Sequence, residues 1–237
     1  MSATSGDGRF SFLLWRAIGI LMSPPGPEPQ ISPWLRGVVR PAPGSARIVL
    51  SPDERHAPGL AVDYPLDAAQ GLNVAAVLDH VRFAVGPQVS ALLDRSAVPD
   101  RDSYGNTIVP ADELDFDNSA ELTRWDQNIF SLFTTFLGAS IPFFEEDFAF
   151  FGFMFVGSNT CRIYIRSAQT RLTYGIDLPL TRADGAPFEG YAYLARELAP
   201  LVRIGDLDLY RVEGAADEYC GQVVDLNAWF GPAASAQ

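Results

Sequence analysis

The sequence predicts an α+β protein in which a central, mostly antiparallel sheet is packed by two main helices. Apolar residues recur with helical spacing in two stretches, and short segments between 147 and 212 alternate in polarity as strands do. The helical and strand segments are not interleaved in regular βαβ units. This segregation favours an α+β architecture over a parallel α/β sheet.

The length and composition predict one packed domain over residues 1–237. Single cores of up to about 250 residues occur, so 237 residues do not require a division. Hydrophobic residues make up 48% of the chain, which excludes the low-hydrophobicity regime of disordered proteins. We find no internal repeat in the sequence.

The N-terminal region is predicted to contain a core-docking segment followed by an extended arm. The apolar stretch 10–22 carries Arg16 at its centre and no small-residue cleavage site after it, unlike a secretory signal. It is also shorter than the roughly 20 residues that a membrane-spanning helix needs. Residues 23–45 are rich in proline, which excludes helix and interior strand, so we expect an extended connector or arm.

Two short strands and two helices are predicted next along the chain. Residues 46–50 and 60–66 are short apolar segments framed by turn residues, as in strands. Apolar residues at i, i+3, i+4 and i+7 predict a helix over about 73–94 and a second over about 119–138. The second helix begins near a capping serine and ends at a glycine.

The strands of the predicted sheet lie mainly in the C-terminal half. Residues 143–156 are rich in phenylalanine and become apolar at odd and even positions alike, which predicts a central strand covered on both faces. Residues 161–166 and 171–178 alternate and are joined by short connectors, which predicts an antiparallel meander around 147–178. Residues 207–212 alternate as one further strand.

The charge balance suits a basic protein or a cation as partner, and it equally fits a protein whose acidic surface only keeps it in solution. The chain carries 17 basic and 29 acidic residues, for a net charge of −12. Such a chain repels phosphate backbones and anionic lipid surfaces. We therefore expect neither nucleic acid nor membrane as a direct partner, and we expect a cytoplasmic location.

The residue types argue against most cofactor and covalent chemistry. The chain contains no lysine, which excludes the P-loop, Schiff-base and acyl-enzyme lysine motifs. Its two histidines, His56 and His80, fall in different elements, and Cys161 and Cys220 form no CxxC pair. We predict no catalytic residue, no metal site and no cofactor, with both thiols unpaired.

The strongest local feature is an acidic segment at 96–126, with eight carboxylates and two arginines. Three interpretations stay open. The segment Asp100–Gly105 partly matches a calcium loop but lacks the ligands at positions five and twelve. The segment also suits a solvated loop that caps the following helix, or a docking surface for a basic partner. The docking residues predicted within it are Asp100, Asp102, Asp112, Glu113, Asp115 and Asp117.

A second docking surface is predicted on the strand at 161–166. Alternation places Arg162, Tyr164 and Arg166 on one face, which we expect to be exposed. Arginine and tyrosine are enriched at protein interfaces and at their energetic hot spots.

The leading functional hypothesis is a non-enzymatic intracellular binding protein, an acidic inhibitor of the immunity or antitoxin type that binds a basic partner. One alternative is a structural or assembly component, for example of a phage or other particle, which uses the arm at 23–45. A second alternative is a carboxylate-dependent hydrolase that uses Glu145, Glu146 and Asp147 at the head of the central strand.

Overall fold

The structure, a computed structural model, divides the chain into two compact units, Met1–Trp125 (unit 1) and Asp126–Gln237 (unit 2). The single-domain organisation stays a prediction. The described residues are 10, 13–14, 34–66, 77, 80–81, 85–95, 100–111, 114, 148–181, 198, 200–201, 203–207 and 217–225.

Unit 1 contains a three-stranded antiparallel meander that is extended by a fourth, parallel strand. The strands are β1 (Trp34–Val39), β2 (Ser45–Ser51), β3 (Leu60–Pro65) and β4 (Thr107–Pro110). Their order is β4-β3-β2-β1, with β4 parallel to β3. A 3-10 turn at Gly86–Gln88 leads into the short helix α1 (Val89–Arg95). The core of the meander includes Val38, Ile48 and Val62, which face one another across the strands and are fully buried.

Unit 2 repeats this arrangement. Its strands are β5 (Phe148–Gly157), β6 (Thr160–Ser167), β7 (Thr173–Pro179) and β8 (Gln222–Asp225). The first three form an antiparallel meander, and β8 runs parallel to β7 at its far side. Phe153, Ile163 and Ile176 are cross-strand neighbours in this sheet and are fully buried, like their counterparts in unit 1.

The predicted α+β fold class, a sheet packed by two main helices, was wrong. The described architecture is dominated by eight strands in mixed antiparallel and parallel pairing, and α1 is a short helix that overlaps only the end of the predicted 73–94 span. The helix predicted at 119–138 lies outside the described residues. The strand predicted at 207–212 was wrong at Leu207, which lies in a 3-10 turn, and the rest of that span is not described. The last strand of the sheet is β8.

One physical reason explains why strand β1 was missed. No proline of the predicted arm lies within Trp34–Val39, so the proline-rich composition of the arm is compatible with strand β1. Residues 23–33 of that arm lie outside the described residues. A separate error concerns exposure, because alternation indicated that Arg162 faces solvent, whereas Arg162 is buried and pairs with Asp177 across the strands.

The two units share a strand irregularity as well as a topology. The β1–β2 register shifts between Leu35 and Gly37, and the β5–β6 register shifts between Phe150 and Gly152. Each shift places one extra residue in the first strand and puts a glycine directly after it, as in a β-bulge. Gly152 has φ 139°, a conformation that favours glycine.

The shared topology brings out sequence matches that composition and periodicity do not show. Residues 61–66 read AVDYPL and residues 175–180 read GIDLPL, with the aspartate on the third strand of each meander. Residues 102–109 read DSYGNTIV and residues 217–224 read DEYCGQVV, entering the fourth strand of each unit. The two units therefore repeat one strand arrangement and share short matching segments, which the search of the sequence alone for an internal repeat did not find.

Candidate functional site

Two loops meet at one end of the unit 1 sheet, where β2 ends and β3 and β4 begin. They are residues 52–58 and 100–106, which we call the loop cluster. The Thr107 amide donates to the Gly59 carbonyl at 2.8 Å, next to both loops, and the Ile108 amide of β4 donates to the Asp100 carbonyl of the second loop at 2.9 Å. Loops held on a rigid sheet in this way are common sites of recognition.

The amide side chain of Asn106 lies at the centre of the loop cluster. Its Oδ1 accepts from Arg36 Nη1 at 2.5 Å and from the Gly59 backbone amide at 3.0 Å. Its Nδ2 donates to Asp102 Oδ2 at 2.8 Å. Asn106 is fully buried, and one side chain therefore joins β1, the start of β3 and the second loop.

Asp102 sets the conformation of the second loop. Its Oδ1 accepts from the Tyr104 amide at 3.0 Å and from the Asn106 amide at 2.9 Å, while the Asp102 carbonyl accepts from Gly105 at 3.0 Å. Backbone donors and the Asn106 amide therefore surround the carboxylate, which is buried. This is the bonding of an aspartate that stabilises a turn.

Arg36 and Trp34 on β1 attach the first loop to the sheet. Arg36, 3% exposed, donates from Nη1 to the Ala57 carbonyl at 3.0 Å and lies 5.8 Å from the centre of the Tyr104 ring. The Trp34 indole donates to the Asp53 carbonyl at 2.9 Å, and the Arg55 guanidinium lies over its ring.

Gly59 is required by the close approach of the chain at this point. A Cβ on Gly59 would lie 2.0 Å from the carbonyl oxygen of Leu50, so no other residue fits without a backbone movement. The first loop therefore returns to the sheet along a fixed path.

The loop cluster presents carboxylates to solvent above this buried network. Asp53, Glu54 and Asp100 are exposed, together with Arg101, whose Nη1 donates to the Gly105 carbonyl at 2.9 Å. His56 Nε2 lies 3.1 Å from Glu54 Oε2 at the tip of the first loop. The arrangement is an ordered surface with acidic side chains, and its polar core is occupied by internal hydrogen bonds.

The matching region of unit 2 places its polar groups over the sheet. Arg162 pairs with Asp177 through two bonds of 2.6 and 2.8 Å and donates from Nη1 to Asp217 Oδ2 at 2.8 Å. The Tyr164 hydroxyl donates to the same oxygen at 2.9 Å, and Asp217 Oδ1 accepts from the Tyr219 amide at 2.7 Å. These groups satisfy one another, so we assign the network a structural role.

The docking residues predicted from the sequence differ in their exposure in the structure. Asp100 is exposed and Asp102 is buried in the loop cluster, so the two carboxylates lie near each other but do not share a surface. Arg162 and Tyr164 are buried in the unit 2 network, and Arg166 is half-buried over the Phe151 ring. The predictions for Asp112, Glu113, Asp115 and Asp117, and for the alternative site Glu145, Glu146 and Asp147, lie outside the described residues.

Burial shifts the pKa of three titratable groups in the described residues toward the neutral form. Burial lowers the pKa of His80, and its Nδ1 lies 3.4 Å from the Tyr64 hydroxyl, whose pKa is raised by burial. Burial, reinforced by Asp217, raises the pKa of Cys220 to about 12. Cys161 and Cys220 are free thiols. A thiol with so high a pKa is a poor nucleophile.

The described residues contain no group of three or more His, Cys, Asp or Glu side chains that would hold a metal ion. Within the same part of the chain, no helix is long and apolar enough to cross a membrane. No family model, curated protein or solved structure matches the chain.

Sequence reasoning missed the residues that organise the loop cluster, Arg36 and Asn106. It also missed three aspartates that pair with buried arginines, namely Asp63, Asp177 and Asp217. The signal that locates three of them is the repeat itself. An aspartate recurs in the matched segments of the third strands, and another precedes each fourth strand. Arg36 and Asn106 have no counterpart of the same type in unit 2, so only their contacts show their role.

Proposed function

We propose that the protein is a non-enzymatic intracellular binding protein that recognises a basic partner protein through the loop cluster of unit 1. An inhibitor of the immunity or antitoxin type is the form of this proposal that suits the charge best. The observation that carries it is the buried network of Arg36, Asn106 and Asp102, which holds two acidic loops in one conformation.

The network supports recognition because it reduces the entropic cost of binding. Loops that are ordered before association lose little conformational freedom when a partner docks. A fully satisfied polar network also fixes one arrangement of the groups above it. The exposed Asp53, Glu54 and Asp100 are thereby presented at defined positions.

The charge of the chain supports a basic partner. A net charge of −12 accelerates the approach of a positive protein and repels nucleic acid. Arginine or lysine side chains of the partner would pair with the exposed carboxylates, and the Trp34 and Tyr104 rings lie beside them at the same end of the sheet.

The test uses purified full-length protein and a panel of purified basic nucleases as probes. Titration calorimetry should detect a one-to-one complex with at least one probe. Its dissociation constant should rise about tenfold or more between roughly 50 and 300 mM salt, because surface charge pairs are screened.

A triple variant with Asp53→Asn, Glu54→Gln and Asp100→Asn should weaken that complex about tenfold or more, a loss of roughly 1.4 kcal/mol. The matched control carries Asp94→Asn, Asp206→Asn and Glu218→Gln, which neutralise three other exposed carboxylates. Equal loss in both variants would show that only net charge matters. Salt-independent binding, or no binding to any basic probe, would refute the proposal.

A further inference from the structure

Asn106 lies where the two loops of the loop cluster meet. Its Oδ1 accepts from the backbone amide of Gly59, which directly follows the first loop, at 3.0 Å, and its Nδ2 donates to Asp102 Oδ2 in the second loop at 2.8 Å. The loops also pack together here, because a Cβ on Gly105 would lie 3.7 Å from Pro58 Cγ. One buried amide therefore bonds at both loops.

The amide of Asn106 also shares a donor with the first loop. Arg36 Nη1 donates to Asn106 Oδ1 at 2.5 Å and to the Ala57 carbonyl at 3.0 Å. Because one guanidinium nitrogen serves both acceptors, a displacement of either loop changes the bond to the other. A side chain of β1 therefore adds a second connection between the loops.

The orientation of the Asn106 amide is fixed by groups of opposite kind on its two sides. Arg36 and the Gly59 amide can only donate, so Oδ1 faces them, and the Asp102 carboxylate can only accept, so Nδ2 faces it. Asp102 is held in turn by the backbone amides of Tyr104 and Asn106, at 3.0 and 2.9 Å. A side chain without both a donor and an acceptor at position 106 would break one side of this link.

The residues of the link are particular to unit 1. The position equivalent to Asn106 is Gly221 in unit 2, and a glycine has no side chain that could bond to two loops. Where the register of the first two strands shifts, the extra residue is Arg36 in unit 1 and Phe151 in unit 2. The shared topology of the sheet therefore does not require the link.

We propose that Asn106 is a positioning residue that couples the two loops, so that they open together and present one binding surface. A partner that contacts either loop then gains from the order of both, because neither loop has to be fixed during binding. This consequence for a partner rests on the proposed function, whereas the coupling of the loops rests on the contacts of Asn106.

The experiment exchanges the roles of the two bonded side chains. Asn106→Asp places an acceptor against Asp102 Oδ2, and Asp102→Asn places a donor against Asn106 Nδ2, so each single substitution breaks the link. The double variant, Asp102→Asn with Asn106→Asp, restores a donor opposite an acceptor and keeps the net charge of the chain. It should regain the coupling that both single variants lose.

Amide hydrogen exchange followed by NMR measures the coupling in the full chain without any partner. The reporters are the Ala57 amide, which donates to the Glu54 carbonyl in the first loop, and the Gly105 amide, which donates to the Asp102 carbonyl in the second. Both should exchange about tenfold or more faster in each single variant, because the loops open more often. In the double variant both should return to nearly the wild-type rate.

Arg47→Ala is the control for a general loss of stability, because Arg47 pairs with Asp63 and lies toward the opposite end of β2. Under conditions where local opening dominates exchange, both reporters should stay within about twofold of the wild-type rate in this variant. Acceleration of only one reporter in the single variants would overturn the coupling. Equal acceleration in Arg47→Ala, or a double variant that behaves like the single variants, would overturn it as well.

A basic nuclease that forms the salt-sensitive complex of the proposed function supplies the second readout. Asn106→Asp should raise its dissociation rate about tenfold and leave its association rate within about twofold, and the double variant should restore both rates. An unchanged dissociation rate in both single variants would overturn the role of Asn106 in recognition. If no basic nuclease binds, the proposed function is refuted, and hydrogen exchange still decides whether Asn106 couples the loops.

Discussion

The two units share one sheet topology but use buried polar groups for different purposes. Asp102 and Asp217 occupy equivalent positions, and each accepts a backbone hydrogen bond from the tyrosine two residues later. The second oxygen of Asp102 accepts from the Asn106 amide, whereas that of Asp217 accepts from Arg162 and Tyr164. The comparison shows that one turn shared by both units can either hold loops rigid at a sheet end or bind a loop against the sheet.

The largest expected difference between the units concerns their cross-strand arginines. Arg162→Ala leaves Asp177 and Asp217 without their cation, and their side chains are 14% and 1% exposed. We expect unit 2 to lose about 3–5 kcal/mol of unfolding free energy, as when one partner of a buried ion pair is removed. Arg47→Ala removes the cation of Asp63 alone, and Asp63 is 31% exposed. This substitution should lower the unfolding free energy of unit 1 by about 1–2 kcal/mol.

Urea unfolding of the full chain, with hydrogen exchange to assign each transition to a unit, measures both losses. Arg171→Ala, at an exposed position with no carboxylate bond among the described contacts, is the matched control. Equal losses for Arg47→Ala and Arg162→Ala would mean that Asp217 adds nothing to the pair and that the two networks are equivalent.

Part of the fold was predictable from sequence because strand patterns are local. The two alternating segments at 161–166 and 171–178 correspond to β6 and β7, and the short connector between them led to the antiparallel pairing that the structure has. The parallel addition of β4 and β8 was not predictable in this way. Each is four residues long and pairs with a strand far away along the chain, so no local pattern marks it.

Only the acidic character of the candidate site was predictable from the sequence. The acidic segment directed attention to Asp100 and Asp102, but alternation cannot tell an exposed arginine from one that is buried opposite an aspartate. Burial of Arg162 depends on Asp177 and Asp217, which are supplied by other segments of the chain. Sequence periodicity gives the spacing of side chains along one strand. Predicting the burial of Arg162 also requires the register between strands, which the periodicity does not contain.

The bulges at equivalent positions should also differ in their tolerance of substitution. Gly152 has φ 139°, where a Cβ is strained, whereas Gly37 is not among the described glycines with positive φ. Gly152→Ala should therefore destabilise unit 2 by about 1–3 kcal/mol, and Gly37→Ala should destabilise unit 1 by clearly less. Thermal or urea unfolding of the two variants measures this. A larger effect at Gly37 would show that side-chain crowding outweighs backbone strain at these bulges.

A smaller difference is expected at Tyr164, whose equivalent in unit 1 is Val49. Tyr164→Phe removes the hydroxyl that donates to Asp217 at 2.9 Å but leaves Arg162 in place. Loss of one hydrogen bond to a charged group should cost about 1–2 kcal/mol of unfolding free energy.

Tyr174→Phe is the matched control for that substitution, because the Tyr174 hydroxyl is buried and has no hydrogen-bond partner among the described residues. We expect the control to leave the stability nearly unchanged. If Tyr164→Phe also left the unfolding free energy unchanged, the Tyr164 hydroxyl would contribute nothing to the network, and Arg162 alone would neutralise Asp217.

The smallest expected effect is a pH dependence of the stability of unit 2 that arises from Cys220. Unit 1 lacks this group, because Gly105 occupies the equivalent position. Burial, with Asp217 adding to it, raises the pKa of Cys220 to about 12, whereas an unfolded cysteine has a pKa of about 8.5. Above about pH 8.5 the unfolded state loses the thiol proton while the folded state keeps it. The free energy of unfolding therefore falls as pH rises. Between pH 7.5 and 9 the loss due to Cys220 should be under about 1 kcal/mol, and Cys220→Ala should reduce the pH dependence by that amount. Tyr64, whose pKa is also raised by burial, contributes only when unfolded tyrosine ionises near pH 10. An identical pH dependence in wild type and Cys220→Ala would place the ionising group elsewhere.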